Sequence, residues 1–168
     1  MVHHRSQQRV RPGAGRAASR ERRPRRGTVR REGSVDDLRT TYGDRFWLGH
    51  LDVTDTARVR EVVDAAFGEL GRVDVVVSNA GYGLFGAAEE FSDEQVIHQI
   101  TTNLIGSIQT ARAALPHLRA QGGGRIIQMS SVAGLAAHPG ASLYHAGKWG
   151  VEGFMEALAA EVARSASR

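Results

Sequence analysis

The sequence predicts an α/β fold built on a doubly wound parallel sheet. Three observations predict it. Strand and helix patterns alternate three times between residues 46 and 164. Two of the strand patterns are short, largely apolar runs, which suit a sheet covered on both faces. Polar residues of catalytic type then follow the strands directly, and in such sheets ligands bind outside the carboxyl ends of the strands.

Residues 46–53 (FWLGHLDV) read as the first strand of the alternation. Thr54 or Asp55 is the cap of a helix carrying Val59, Val62, Val63, Ala66, Phe67 and Leu70 on one face, and Gly71 ends it. Residues 73–77 (VDVVV) form a second strand. Ser92, Asp93, Glu94 and Gln95 make a capping box. It opens a long helix with Val96, Ile97, Ile100, Leu104, Ile108, Ala111 and Leu115 turned inward, and Pro116 lies near its end. Three glycines, 122–124, break the chain before a buried strand at 125–129, and residues 143–164 are helical.

Composition narrows the function. The chain has no cysteine, which excludes disulfides, thiolate metal sites and cysteine nucleophiles. Its seven histidines show no metal-ligand spacing, so no metal is expected, and His138 and His145 are read as loop or substrate-pocket residues. No apolar run approaches a membrane span and no secretory signal is evident, so a cytoplasmic home is expected and a membrane is not. The net charge of +4 conceals an asymmetry: residues 1–31 hold 11 arginines against one acid, Glu21. Residues 1–26 lack helical or strand periodicity and are expected to be a disordered basic arm, with the globular part at 27–168.

The polar groups at the strand ends suggest proton chemistry. Tyr144 and Lys148 are four apart, so on a helix they share a face. A lysine ammonium beside a phenol favours the phenolate, which makes the pair a plausible general acid/base. Ser131 can donate a hydroxyl hydrogen to a substrate oxygen. Read singly, the bland alternatives hold: a packed aromatic, a solvated lysine, a purely structural Asn79, an Asp52 that only starts a helix, and arginines 30 and 31 that merely continue the arm.

Asp52-Val53, Asn79-Ala80-Gly81, Asn103, Ser131, and Tyr144 with Lys148 occur in the order and spacing of the short-chain dehydrogenase/reductase family, with Ser131 13 residues before Tyr144. The segment GRIIQMSSVAG is very close to the family's strand before its catalytic serine. The chain resembles that family over residues 27–164. The resemblance implies a Rossmann-like sheet and an enzyme that transfers a hydride between NAD(P) and a small carbonyl or alcohol substrate. It implies that Tyr144 passes the proton, Ser131 holds the substrate oxygen, and Lys148 assists the tyrosine and binds the nicotinamide ribose. Asn103 would hold a water linking Lys148 to solvent. Asp52 and Val53 would contact adenine, and Asn79, Ala80 and Gly81 would line the cofactor. Arg30 and Arg31 fall at the end of the family's second strand, where arginine pairs with a 2′-phosphate, so NADP(H) is expected ahead of NAD(H). Family members commonly form homo-oligomers through their long helices.

The family's first strand and its Thr-Gly-x-x-x-Gly-x-Gly loop do not occur in the sequence, nor do the strands that follow residue 168. The expected sheet is therefore incomplete, and this chain is expected to be weakly active or inactive. One origin for the arm is a shifted reading frame. Residues 1–15 (MVHHRSQQRVRPGAG), back-translated with GC-rich synonyms and read one nucleotide over, give WFITGASSGFGRALA, a strand, glycine loop and helix start. Three further readings compete with the enzyme: a catalytically dead, dimerising scaffold, a nucleic-acid binder using the basic arm, and an arm that is an organelle transit peptide, which its lack of an amphipathic apolar face disfavours. Residues 1–31 contain no aromatic to interleave with the arginines, which disfavours nucleic acid.

Overall fold

The computed structural model describes residues 25–31, 33 and 35–165, so the arm and the shifted-frame reading at residues 1–24 lie outside the described residues. The chain divides into two compact units, one ending at Asp52 and the other starting at Val53.

The first unit is a strand–helix–strand crossover. β1 (Arg25–Val29) pairs in parallel with β2 (Phe46–His50), in a register running from Arg25 opposite Phe46 to Val29 opposite His50. Parallel strands need a crossover, and α1 (Asp36–Tyr42) lies within it. Asp36 and Asp37 sit in the first turn of α1, where acidic groups suit the helix dipole. The Leu51 amide donates to the Val29 carbonyl at 2.9 Å and carries the ladder one step past β2. Arg30 and Arg31 leave β1 at the same end of the ladder where Asp52 leaves β2. The strand read at 46–53 is thus shorter than expected.

In the second unit α2 (Thr56–Leu70) is capped by Asp55, whose carboxylate accepts from the Arg58 amide at 2.9 Å. Asp52 therefore does not start this helix. Gly71 ends α2 at a positive φ of 68°, a conformation that suits glycine. The predicted apolar face is inward: Val59, Val62 and Phe67 are buried. β3 (Val75–Ser78) and β4 (Arg125–Gln128) pair in parallel, from Val75 opposite Arg125 to Ser78 opposite Gln128. Phe67 of α2 packs with Ala114 and Leu118 of α4 (Gly106–Ala120), with Val63, Val73, Val76 and Ile126 around them. The His117 ring lies flat on Phe67 at 4.6 Å, and its Nε2 is 2.6 Å from an Asp64 carboxylate oxygen. The Gln121 amide donates to the Val73 and Gly123 carbonyls, locking the turn before β4 to the start of β3.

Two expectations are corrected here. The helix opened by the capping box is not regular. α3 (Asp93–Ile100) passes into a π-helical turn (Thr101–Ile105) before α4 continues. Ile97 of α3, expected inside, is 65% exposed and Gln99 is buried, while the π turn itself carries the buried Thr102 and Asn103. The apolar strands are not covered on both faces among the described residues: Val75, Val77, Ile127 and Met129 are 45–54% exposed. A pleated strand sends alternate side chains to opposite faces, and here the helices meet only the face that carries Val76 and Ile126.

The last helix, α5 (Ser142–Ser165), packs on the π turn and on a short 3₁₀ turn at Val132–Gly134. Close approach is possible because glycines face the contact. A Cβ on Gly147 would lie 3.3 Å from the Asn103 side chain, and one on Gly150 would lie 2.9 Å from Leu104.

Candidate active site

Three segments converge in the second unit: the chain after β3, the π turn, and the first two turns of α5. Asn103, 1% exposed, is held by the π turn and reaches the loop after β3. Its Oδ1 accepts from the Tyr82 amide at 2.9 Å, and its Nδ2 donates to the Tyr82 carbonyl at 2.8 Å. This doubly bonded amide replaces a partner strand for that stretch of backbone. Its loss would cost roughly 1–3 kcal/mol for each backbone group left unpaired. Both side-chain polar groups of Asn103 are therefore engaged with Tyr82.

Gly81 precedes that residue and is exposed. A Cβ there would come within 3.0 Å of the Asn103 Oδ1 and 3.8 Å of the Lys148 Nζ. Gly81, Asn103 and Lys148 thus meet at one point, at the carboxyl end of β3. Asn79 and Ala80 lie beside them and are exposed. Val53 is placed elsewhere, with its side chain against the backbone of Gly106, where an added Cβ would lie 2.9 Å from it.

Lys148 is the single lysine of the sequence and is 4% exposed. Its ammonium donates to the Met129 carbonyl at 2.8 Å, just past β4, and lies 5.8 Å from the centre of the Tyr144 ring. Burial holds its pKa below the ordinary lysine range, and the nearby Glu152 carboxylate partly opposes that shift. The unfolded chain accordingly binds the proton more tightly, so between the two pKa values this group adds stability as pH rises. A chain with ¹³C-labelled lysine should show one Cε resonance that titrates below the ordinary range when folded. A titration at or above that range would contradict the burial.

Tyr144 is partly buried on α5, with the Phe85 ring 6.2 Å from its own. Phe85 is 62% exposed. The Gly86 amide donates to the Gly140 carbonyl at 3.0 Å and joins the loop after β3 to the loop before α5. Ser131 sits between β4 and the 3₁₀ turn, where its Oγ accepts from the Ala133 amide at 3.2 Å. That contact uses a lone pair and leaves the hydroxyl hydrogen for an acceptor such as a substrate oxygen.

His138 and His145 divide. His138 is exposed on the loop before α5, in keeping with the loop reading. His145 is 7% exposed and bonded on both ring nitrogens, so it is an internal tie and not a pocket wall. Nothing in its spacing signals this role. Among the described residues no three His, Asp or Glu side chains gather as a metal site. Arg30, Arg31 and Asp52 belong to the first unit, where both arginines are exposed and Asp52 is partly buried.

Residues 25–166 match the family model of the short chain dehydrogenases. The chain belongs to the short-chain dehydrogenase family. It is 39% identical over 137 residues to an oxidoreductase of Botryotinia fuckeliana, covering 81% of this chain and 50% of that protein. A solved short-chain dehydrogenase from Streptomyces avermitilis matches with a TM-score of 0.78 at 38% identity, covering 83% of this chain and 51% of that one. ElxO, solved with NADP bound, matches with a TM-score of 0.77 at 29% identity, covering 83% and 58%. The chain spans about half the length of the curated relatives it matches. Each parallel ladder with its crossover helix is of the kind that builds this family's Rossmann-like doubly wound sheet, which is incomplete among the described residues. Family membership makes the chain part of an oxidoreductase family. Among the described residues no helix is long and apolar enough to cross a membrane.

Proposed function

We propose that the protein is an NAD(P)-dependent oxidoreductase acting on a small carbonyl or alcohol substrate, with Tyr144 as its general acid/base. The observation that carries this reading is Lys148: a buried ammonium, bonded to the Met129 carbonyl and facing Tyr144, beside the open backbone at Gly81. Burying a cation is costly, and a phenolate that forms beside it recovers part of that cost.

The nicotinamide would supply or accept the hydride. The remaining steps belong to this chain. Ser131 directs its hydroxyl hydrogen to the substrate oxygen, and Tyr144 gives that oxygen its proton in reduction or takes it in oxidation. Lys148 stabilises the tyrosine oxygen when the proton is away and donates to the nicotinamide ribose. The exposed stretch Asn79, Ala80 and Gly81 fits a cofactor, because the absence of a side chain at Gly81 keeps the approach to Lys148 open. Asp52 and Val53 are proposed adenine contacts. For Asn103 we retain a place in the proton route through a water, although its side chain already holds Tyr82. The decisive experiment is turnover of the Tyr144→Phe variant.

NADP(H) is proposed ahead of NAD(H). Arg30 and Arg31 follow the carboxyl end of β1, and a guanidinium there can pair with a 2′-phosphate. In a version of the protein carrying the family's glycine-rich loop, kcat/KM should favour NADPH over NADH. Replacing both arginines with serine should abolish the preference, and equal kinetics in the parent would remove this role. We place the protein in the cytoplasm as a homo-oligomer; Ile97 and Trp149 on α3 and α5, 65% and 53% exposed, supply apolar surface for the association.

A further inference from the structure

We propose that His145 is a positioning residue that holds Ser131 in place by clamping the loop between Ser131 and Tyr144; this rests on the reading of Ser131 given above. His145 follows Tyr144 on α5, and its ring points into the 3₁₀ turn after Ser131. Its Nδ1 lies 2.8 Å from the Ala133 carbonyl oxygen, and the His138 amide donates to its Nε2 at 2.8 Å. A peptide carbonyl only accepts and a peptide N–H only donates. One form of the ring satisfies both: neutral, with its proton on Nδ1.

The two bonds close the loop at both ends. Ala133 is the pivot, because the same residue gives its carbonyl to His145 and its amide to the Ser131 Oγ at 3.2 Å. Ala133 is itself buried. Its carbonyl, without the imidazole, has a strong reason to turn towards another donor, and the peptide that caps Ser131 turns with it. His145 also shares a helical turn with Tyr144, so the clamp ties the serine loop to the helix that carries the acid/base. The hydroxyl and the phenol are thereby held in one frame, which is what simultaneous contact with a substrate oxygen requires.

Side-chain substitutions separate the two bonds. His145→Asn places an amide N–H near the position of Nδ1 and keeps the donor for Ala133. His145→Gln places its carbonyl oxygen near the position of Nε2 and keeps the acceptor for His138. His145→Phe keeps a ring and loses both. In the 168-residue chain, hydrogen exchange of the Ala133 amide should accelerate roughly three- to tenfold in His145→Phe and His145→Gln, and stay near the parent value in His145→Asn. Ser131→Ala should accelerate it similarly, and combining Ser131→Ala with His145→Phe should add little, because both act on one bond. Nitrogen-15 spectra of the parent should show His145 neutral and protonated on Nδ1.

Full additivity of the Ser131 and His145 substitutions would overturn the proposal. So would equal exchange in the Asn and Phe variants, an unprotected Ala133 amide in the parent, or a ring protonated on Nε2. If His145→Phe loosens the whole of α5, the contrast between Asn and Gln decides the matter alone. No turnover is measured, so failure here leaves Tyr144 to its own test, and an inactive Tyr144 reading leaves this one standing.

Discussion

Replacing Tyr144 with phenylalanine is expected to lower turnover by about 10²–10⁴-fold while leaving cofactor affinity nearly unchanged. The substitution removes the phenolic O–H and keeps the ring, so its packing near Phe85 survives. The loss should fall on kcat, because the proton is transferred in the chemical step. Steady-state kinetics and a cofactor titration of the variant, in a version of the protein carrying the family's glycine-rich loop, separate the two quantities. Turnover within a few-fold of the parent would remove Tyr144 from the role of acid/base. A matching fall in cofactor affinity would instead mean that the phenolic hydroxyl serves cofactor binding, since the ring is kept.

The 168-residue polypeptide, purified as it stands, is expected to bind NADPH roughly a hundredfold more weakly than a family member with that loop, and to turn over little substrate. A glycine loop at a helix N-terminus presents backbone N–H groups to a pyrophosphate. Losing two charge-assisted hydrogen bonds of about 1.5–3 kcal/mol each is enough for that factor. The strands add a second reason. Among the described residues β1–β2 and β3–β4 form separate two-stranded ladders. A strand edge that gains no ladder partner costs about 1–3 kcal/mol for each backbone group that is buried unpaired. Calorimetric titration with NADPH, together with a thermal melt, measures both effects. A cooperative melt with micromolar binding would show that other parts of the chain do the work of the loop and the strand.

Local sequence determined most of the elements. The helix from Thr56 to Leu70 was legible from its apolar spacing, a cap read as Thr54 or Asp55 and its terminal Gly71, because each of these acts within one or two helical turns. The strands at Val75–Ser78 and Arg125–Gln128 were legible from short β-branched runs between breakers, though their ends lay one or two residues away. The placement of Tyr144 and Lys148 on one helix followed from their spacing of four.

Other features needed distant parts of the chain. The π turn at Thr101–Ile105 is invisible to a 3.6-residue period, and it carries the buried Asn103. Asn103 finds its partner 21 residues away in the backbone of Tyr82, a pairing that only the packing of the π turn on the loop after β3 creates. Lys148 read as a plausible helper of Tyr144, but its burial came from Gly147 and Gly150, which let α5 press against Asn103 and Leu104. His145 carried no signal at all, since its two partners are backbone groups, whose identity no side chain encodes. Sequence alone named the candidate residues and put Tyr144 and Lys148 on one helix. Tertiary structure decided which polar groups are buried and what they bond, because burial and hydrogen bonding depend on contacts between segments far apart in the chain.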